Sequence, residues 1–218
     1  MALNLQTLLS PLAKPFLRRS KAMRGSQFEF LPAVPGRVVF LGDSITEGGC
    51  WDEWFAELPT CNRGINGDTV AGVSARLASA LNEPQAVSLL IGTNDLGGMG
   101  ETRDVDRIAE QVRELILALR QEAPAATLLV NSVMPRVASM ASTIGRLNEH
   151  YSEAAVEAHA TFVDLWPALA AADGSLRDEF TADHLHLNGP GYGAWVEVLR
   201  PLLAPNAFDS PDEFGAKY

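Results

Sequence analysis

The sequence predicts a three-layer α/β/α sandwich around a mainly parallel central sheet. Three observations predict it. Short apolar runs recur along the chain, and each stops at a glycine, a proline or a polar turn. Segments of helical period lie between them. Strands that alternate with helices favour parallel pairing, with helices covering both faces of the sheet.

The elements follow in order. Residues 1–30 stand apart as an N-terminal extension. Leu5, Leu8, Leu9 and Leu12 have helical spacing and are followed by bases, a pattern that suits a short amphipathic helix on an anionic membrane surface. Pro11 and Pro15 interrupt such a helix, so the reading prefers a segment that packs on the domain or stays partly disordered. Arg37–Leu41 is a compact buried strand running into Gly42. Thr60–Arg63 is a weaker strand, and Ala86–Ile91 a strong one ending at Gly92. Val105, Ile108, Val112, Leu115, Ile116 and Leu119 line one helical face between Asp104 and Glu122, with Asp104 as N-cap. Thr127–Val133 is a fourth strand. Ile144, Leu147, Tyr151, Ala154 and Ala158 mark a second long helix, and Thr161–Leu165 a fifth strand. Tyr192, Trp195, Val196, Leu199 and Leu203 form the last helical stripe. Residues 206–218 are polar and read as a loose tail. One domain over residues 31–205 therefore carries the fold.

Composition excludes several functions. The chain has 218 residues, enough for a full core without staples. No run approaches the roughly 18 apolar residues of a membrane span. The formal charge is −10, a poor match to a phosphate-backbone binder, so nucleic acid is not expected as a partner. Five bases and no acid fall in residues 1–28, which leaves the remainder still more acidic. The two cysteines, Cys50 and Cys61, form neither a disulfide framework nor a CxxC metal knuckle, and two packed thiols are expected. Positive charge follows the first apolar stretch instead of preceding it, unlike a secretory signal, so a cytoplasmic protein is expected.

In an open parallel sheet, ligands bind beyond the carboxyl ends of the strands. Three strand ends deliver small polar turns there: Gly42-Asp43-Ser44, Gly64-Ile65-Asn66-Gly67-Asp68-Thr69 and Gly92-Thr93-Asn94-Asp95. A serine in the first turn needs a base to become a nucleophile. Of four histidines, His150 and His159 fall in or just after a helix and read as surface or packing residues. His184 and His186 lie in Asp183-His184-Leu185-His186. In a helical turn Asp183 and His186 share one side, so the carboxylate can orient the imidazole. In an extended segment His184 and His186 share a face instead. An HxH metal pair completed by Asp183 or Asp95 is then the competing reading. Donors for a developing oxyanion are available from the amides of Ser44 and Gly67 and from the Asn94 side chain. The serine does not sit in a GxSxG elbow, and neither a Walker loop nor a GxGxxG fingerprint occurs.

These blocks, in this order and spacing, resemble those of the SGNH (GDSL-type) hydrolase family: Gly-Asp-Ser at 42–44, Gly67 in GINGDT, Asn94 in GTND, and Asp183/His186 in DHLH. The likeness runs from about Arg37 to Leu203. The N-x-G-x-x-G-D turn (Asn62 to Asp68), the GTN strand end and His186-Leu187 resemble the platelet-activating-factor acetylhydrolase-like branch. The resemblance implies a flavodoxin-like sheet and an ester hydrolase acting through an acyl-enzyme on a small-molecule ester, with no metal or organic cofactor. It implies Ser44 as nucleophile, His186 as base and acid, and Asp183 as its orienting carboxylate. Ser44, Gly67 and Asn94 would form the oxyanion hole. No family role maps onto Asp95, and Asp43 is expected to support its turn.

Short acyl groups are expected, with Leu96, Met134, Pro135, Val137, Met140 and Leu185 either walling the acyl pocket or packing as loop core. Trp51 and Trp54 are expected in the core. An acyltransferase with an alcohol or sugar acceptor is the alternative with the same residues. A metal-dependent hydrolase on the DHLH loop is the alternative with different chemistry.

Overall fold

The computed structural model of the chain describes residues 5–97, 99–100 and 102–203, with the backbone alone for residues 5–17. The five expected strands are present: β1 (Val38–Gly42), β2 (Thr60–Gly64), β3 (Ala86–Leu90), β4 (Thr127–Asn131) and β5 (Thr161–Val163). All pair in parallel, in the order β2-β1-β3-β4-β5. The chain leaves β1 toward one edge of the sheet and β3 toward the other. The topological switch point therefore lies between β1 and β3, where such sheets bind ligands.

Successive strand residues point to opposite faces, and two cores result. Val39, Leu41, Val87, Leu89 and Val130 pack under the helices Val70–Ala75, Val105–Glu122 and Ala141–Glu157. Val38, Phe40, Ala86, Leu90 and Leu129 pack on the other face under the helix Gly189–Leu203. The expected three-layer α/β/α architecture is the observed one. Trp51 is in the second core, as expected, stacked on Phe40 with ring centroids 4.0 Å apart. Its indole N–H donates to the Thr46 carbonyl (2.9 Å). Asn131, buried at the end of β4, donates to Ser88 Oγ and the Leu89 carbonyl and accepts from Trp195 Nε1. These bonds satisfy a polar side chain that would otherwise cost stability.

Asp104 caps the Val105–Glu122 helix, accepting from the amides of Asp106 (3.0 Å) and Arg107 (3.3 Å). Ile108, Val112, Leu115, Ile116 and Leu119 form its buried stripe.

Two expectations need correction. The N-terminal segment is a single helix, Leu5–Phe30, that continues through Pro11 and Pro15. Each proline removes one bond of the ladder, toward the carbonyls of residues 7 and 11, and the remaining ladder carries the helix on. The side chains of Leu5, Leu8, Leu9 and Leu12 lie outside the described residues, as does the 206–218 tail. Second, the cysteines are free but not both packed. Cys50 is exposed at the start of the Trp51–Trp54 turn, because it is Trp51 that turns inward there. Among the described residues no helix is long and apolar enough to cross a membrane.

Candidate active site

β1 delivers the first component. Gly42 ends the strand where a Cβ would meet the Leu90 carbonyl oxygen at 2.1 Å, so only glycine fits between β1 and β3. Asp43 then caps the short helix Ser44–Glu47, with Oδ1 accepting from the Ile45 amide (3.0 Å). Its carboxyl is buried, and it supports the turn as expected. Ser44 takes the first position of that helix, half-buried at the sheet's carboxyl edge.

The last block comes to meet it. Residues 182–186 form a chain of bends between Thr181 and Leu187, which pair as an isolated antiparallel bridge. Asp183 Oδ1 accepts from the amides of Leu185 (3.0 Å) and His186 (2.8 Å), an Asx-type turn. Asp183 Oδ2 lies 2.7 Å from His186 Nδ1. The convergence read from the three-residue spacing is real, but a side-chain-closed turn produces it instead of a helical one. A carboxylate can only accept, so His186 Nδ1–H is the donor. Nε2 is left to accept, and the Ser44 hydroxyl lies 3.0 Å from it.

Partial desolvation pushes Asp183 up. The hydrogen bonds from the His186 ring and amide, the His186 charge and the Leu185 amide outweigh it and bring the carboxyl down to about 2. His184 takes a left-handed backbone (φ 54°), and its Nε2 lies 3.9 Å from Asp178. His150 sits beside Glu153 and Asp106, and His159 follows the Ala141–Glu157 helix, both away from this edge. Among the described residues no group of three His, Cys, Asp or Glu is placed to hold a metal ion.

The second and third strand ends complete the edge. After β2 a turn from Ile65 to Asp68 closes through the Asp68 amide and Ile65 carbonyl (3.0 Å). Gly67 has φ 73° at its third position, where a type II turn needs positive φ. After β3 the chain turns at Gly92 (φ 108°), and Asn94 is buried in the short helix Thr93–Leu96. Asn94 Nδ2 donates to the Asp68 carbonyl at 2.8 Å. An amide nitrogen carries two hydrogens, so one donor remains for a ligand.

Three buried acids lie behind this edge: Asp43, Asp68 and Asp95. Desolvation raises Asp43 to about 7, against the Ile45 hydrogen bond and with help from the charges of Asp68 and Asp95. Desolvation likewise raises Asp95 to about 6, although the Val70 amide donates to it (3.2 Å). Asp95 thus holds a neighbouring turn and stands away from the serine–histidine pair. Asp68 is paired with Arg76 Nε at 2.8 Å and Lys21 Nζ at 2.6 Å.

Of the side chains named as pocket walls, Leu96 and Met134 are core residues. Leu185 and Met140 are partly buried, and Val137 is exposed. Met99 was not anticipated. It is about half-exposed, and its methyl group lies 3.0 Å from where a Cβ on Gly67 would stand. Only the chain reversal after Asn94 brings it there, through the Met99 amide and Asn94 carbonyl (2.9 Å). Arg136 was also missed. It is half-buried on the same edge, and its guanidinium donates to the Thr93 carbonyl (3.4 Å).

A doubly wound parallel sheet carrying a serine, a histidine and an acid at its switch point defines a class, the α/β acylhydrolases. The chain belongs to the GDSL-like lipase/acylhydrolase family, whose model matches residues 40–194. It is similar to the human platelet-activating factor acetylhydrolase IB subunit alpha1 (Homo sapiens), with 29% identity over 178 residues, covering 76% of this chain and 74% of the relative. Among solved structures, a Streptococcus pneumonia protein provisionally named a platelet activating factor superposes with a TM-score of 0.79. It is 24% identical and covers 89% of this chain and 98% of its own. The acetylxylan esterase Axe2 of Geobacillus stearothermophilus superposes with a TM-score of 0.62 at 19% identity, covering 76% of this chain and 93% of its own. The two structural likenesses are likenesses of fold.

Proposed function

We propose that this chain is a serine esterase that hydrolyses small carboxylic esters of short acyl groups through an acyl-enzyme. One observation carries the reading: Ser44 Oγ, His186 and Asp183 stand in line, at 3.0 and 2.7 Å. Ser44 Oγ attacks the ester carbonyl carbon and its proton passes to His186 Nε2. Asp183, ionised across the working range, holds the ring by its Nδ1–H and supports the imidazolium. The carbonyl oxygen becomes an oxyanion, which accepts from the amides of Ser44 and Gly67 and from the free Asn94 Nδ2–H. The tetrahedral intermediate then collapses. The C–O bond to the alcohol breaks, the alcohol leaves with the proton from His186, and the acyl group stays on Ser44. Water repeats the sequence with His186 as base and releases the carboxylic acid.

The preference for short acyl groups draws support from two sources. The sequence relative from Homo sapiens carries an acetylhydrolase name. The Met99 methyl group stands over the turn at Gly67, 3.0 Å from where a Cβ would be, and can narrow the space beside that donor. The hydrolase reading assigns residues 31–205 to one catalytic domain, and the scarcity of cysteine suits a cytoplasmic setting.

A panel of p-nitrophenyl esters of graded chain length, run on wild type and Ser44→Ala, tests the reading. We expect turnover to be highest for acetate or propionate and to fall to background in Ser44→Ala. Unchanged turnover in Ser44→Ala would remove the serine from the chemistry. Ester products formed from added alcohols, in preference to acid, would turn the assignment to acyl transfer.

A further inference from the structure

The N-terminal helix lies outside the region matched by the family model, which begins at residue 40. Its described half nevertheless reaches the candidate site. Lys21 Nζ stands 2.6 Å from Asp68 Oδ1. Asp68 is fully buried, while Lys21 is partly exposed, so the ammonium enters from the surface. Gly72 provides the entry. A Cβ there would stand 1.9 Å from Asp68 Oδ1 and 2.8 Å from Lys21 Nζ. The remaining cation at Asp68 is shared, because Arg76 pairs with Oδ2 through Nε and donates to the Gly42 carbonyl through Nη2 (3.0 Å).

Asp68 follows Gly67, and its carbonyl accepts from Asn94 Nδ2. Two of the three proposed oxyanion donors therefore adjoin the residue that Lys21 holds. A buried carboxylate that loses one of its cations is expensive to keep in place. Other contacts fall on the end of β2 and on the same turn. Phe28 is buried beneath the guanidinium of Arg63, 4.6 Å from its ring centroid, and Arg63 Nη2 donates to the Leu31 carbonyl (2.9 Å). Arg24 lies 3.8 Å from Glu47, whose other oxygen accepts from the Asn66 amide. A Cβ added at Gly25 would stand 3.9 Å from Ile65 Cδ1, ordinary contact distance. The helix thus grips residues 63–68 at several points from outside the domain.

We infer that Lys21 is a positioning residue for the oxyanion turn, and that the docked N-terminal helix sets the turnover number of the site. The inference rests on the esterase reading. Lys21 touches no reacting atom. It acts through Asp68 on Gly67 and Asn94, and small displacements of such donors have large effects on rate.

Full-length Lys21→Met, Lys21→Arg, Asn94→Ala and the double variant Lys21→Met/Asn94→Ala test it. In Lys21→Met we expect kcat to fall about 10-fold or more, with KM changed less than about 2-fold, because the donors act on the transition state. Lys21→Arg should restore most of that loss. The double variant should lose little beyond Asn94→Ala alone, since both changes act on one hole. A purely structural role would lower stability and give additive losses. Wild-type kcat in folded Lys21→Met, or additive losses in the double variant, would overturn the assignment. Should Lys21→Met not fold, Lys21→Gln replaces it, and wild-type kcat there would also overturn it. Labelling of wild type by a fluorophosphonate, located by peptide mass spectrometry, separates the two readings. Label on Ser44 with normal turnover in the Lys21 variants overturns this inference alone. No label on Ser44 overturns the esterase reading and this inference with it.

Discussion

The side chain of Asn94 and the main chain of Asp68 are joined by a 2.8 Å hydrogen bond, from Nδ2 to the carbonyl. It spans the gap between the turn after β3 and the turn after β2, across the end of β1 that carries Ser44. The same nitrogen therefore fixes the neighbouring turn and keeps a hydrogen for a ligand.

Asn94→Ala removes both roles. We expect kcat for a p-nitrophenyl ester to fall roughly 10²–10³-fold, with a smaller change in KM. Steady-state kinetics check this, and Asn94→Asp, which keeps size but loses the donor, should be as poor.

Asp183→Asn keeps an oxygen for the Leu185 and His186 amides but offers an N–H to His186 Nδ1. The ring must then take the other tautomer, with Nε2 protonated and unable to accept from Ser44. A loss of about 10⁴ in kcat is expected from that change. A crystal structure of the variant with the turn intact would separate tautomer from misfolding.

Much of this was legible in the sequence. Four of the five strands announced themselves as apolar runs ending near a glycine or proline, Thr60–Arg63 was the weaker signal, and Asp104 marked its helix start as a capping residue just before the apolar stripe. Gly67, Asn94, Asp183 and His186 became candidates through local rules (positive φ, strand-end turns and a three-residue spacing), and the family resemblance then gave each its expected role. What was not legible depends on contacts between distant parts of the chain. The Asp183 turn closes through its own side chain onto two amides, which spacing cannot distinguish from a helical turn. Lys21 is one base among five until the fold sets it against Asp68, 47 positions away. Met99 reaches Gly67 only after the chain reverses beyond Asn94. The helix through Pro11 and Pro15 went against local propensity.

Stability should depend on pH through Asp43. Its carboxyl titrates near 3.8 when unfolded and is raised to about 7 by burial in the fold. Between those values the folded state binds more protons than the unfolded state, so stability falls as pH rises. The contribution is fully present below about pH 4 and is lost as pH passes about 7. Asp95, raised to about 6, adds a slope of the same sign. Asp43→Asn should flatten the fall in Tm between about pH 4 and about pH 7. Calorimetry on both proteins across that range checks it, and parallel curves would contradict the assignment.

Gly92 combines φ 108° with a site where a Cβ would stand 2.3 Å from the Tyr151 hydroxyl. That hydroxyl donates to the Ile91 carbonyl (2.9 Å) within the core. Gly92→Ala should therefore destabilise by more than the ~1–3 kcal/mol expected of backbone strain alone. Adding Tyr151→Phe should recover part of the loss by removing the collision. Denaturant unfolding of the single and double variants measures this.

The most direct measurement is intact mass after rapid quenching of the full-length chain during turnover of p-nitrophenyl acetate, followed by peptide mapping. We expect a transient acetyl adduct of one group per chain on Ser44, undetectable in Ser44→Ala and formed far more slowly in His186→Ala. Steady turnover with no adduct on Ser44, or with the adduct on another residue, would contradict the account.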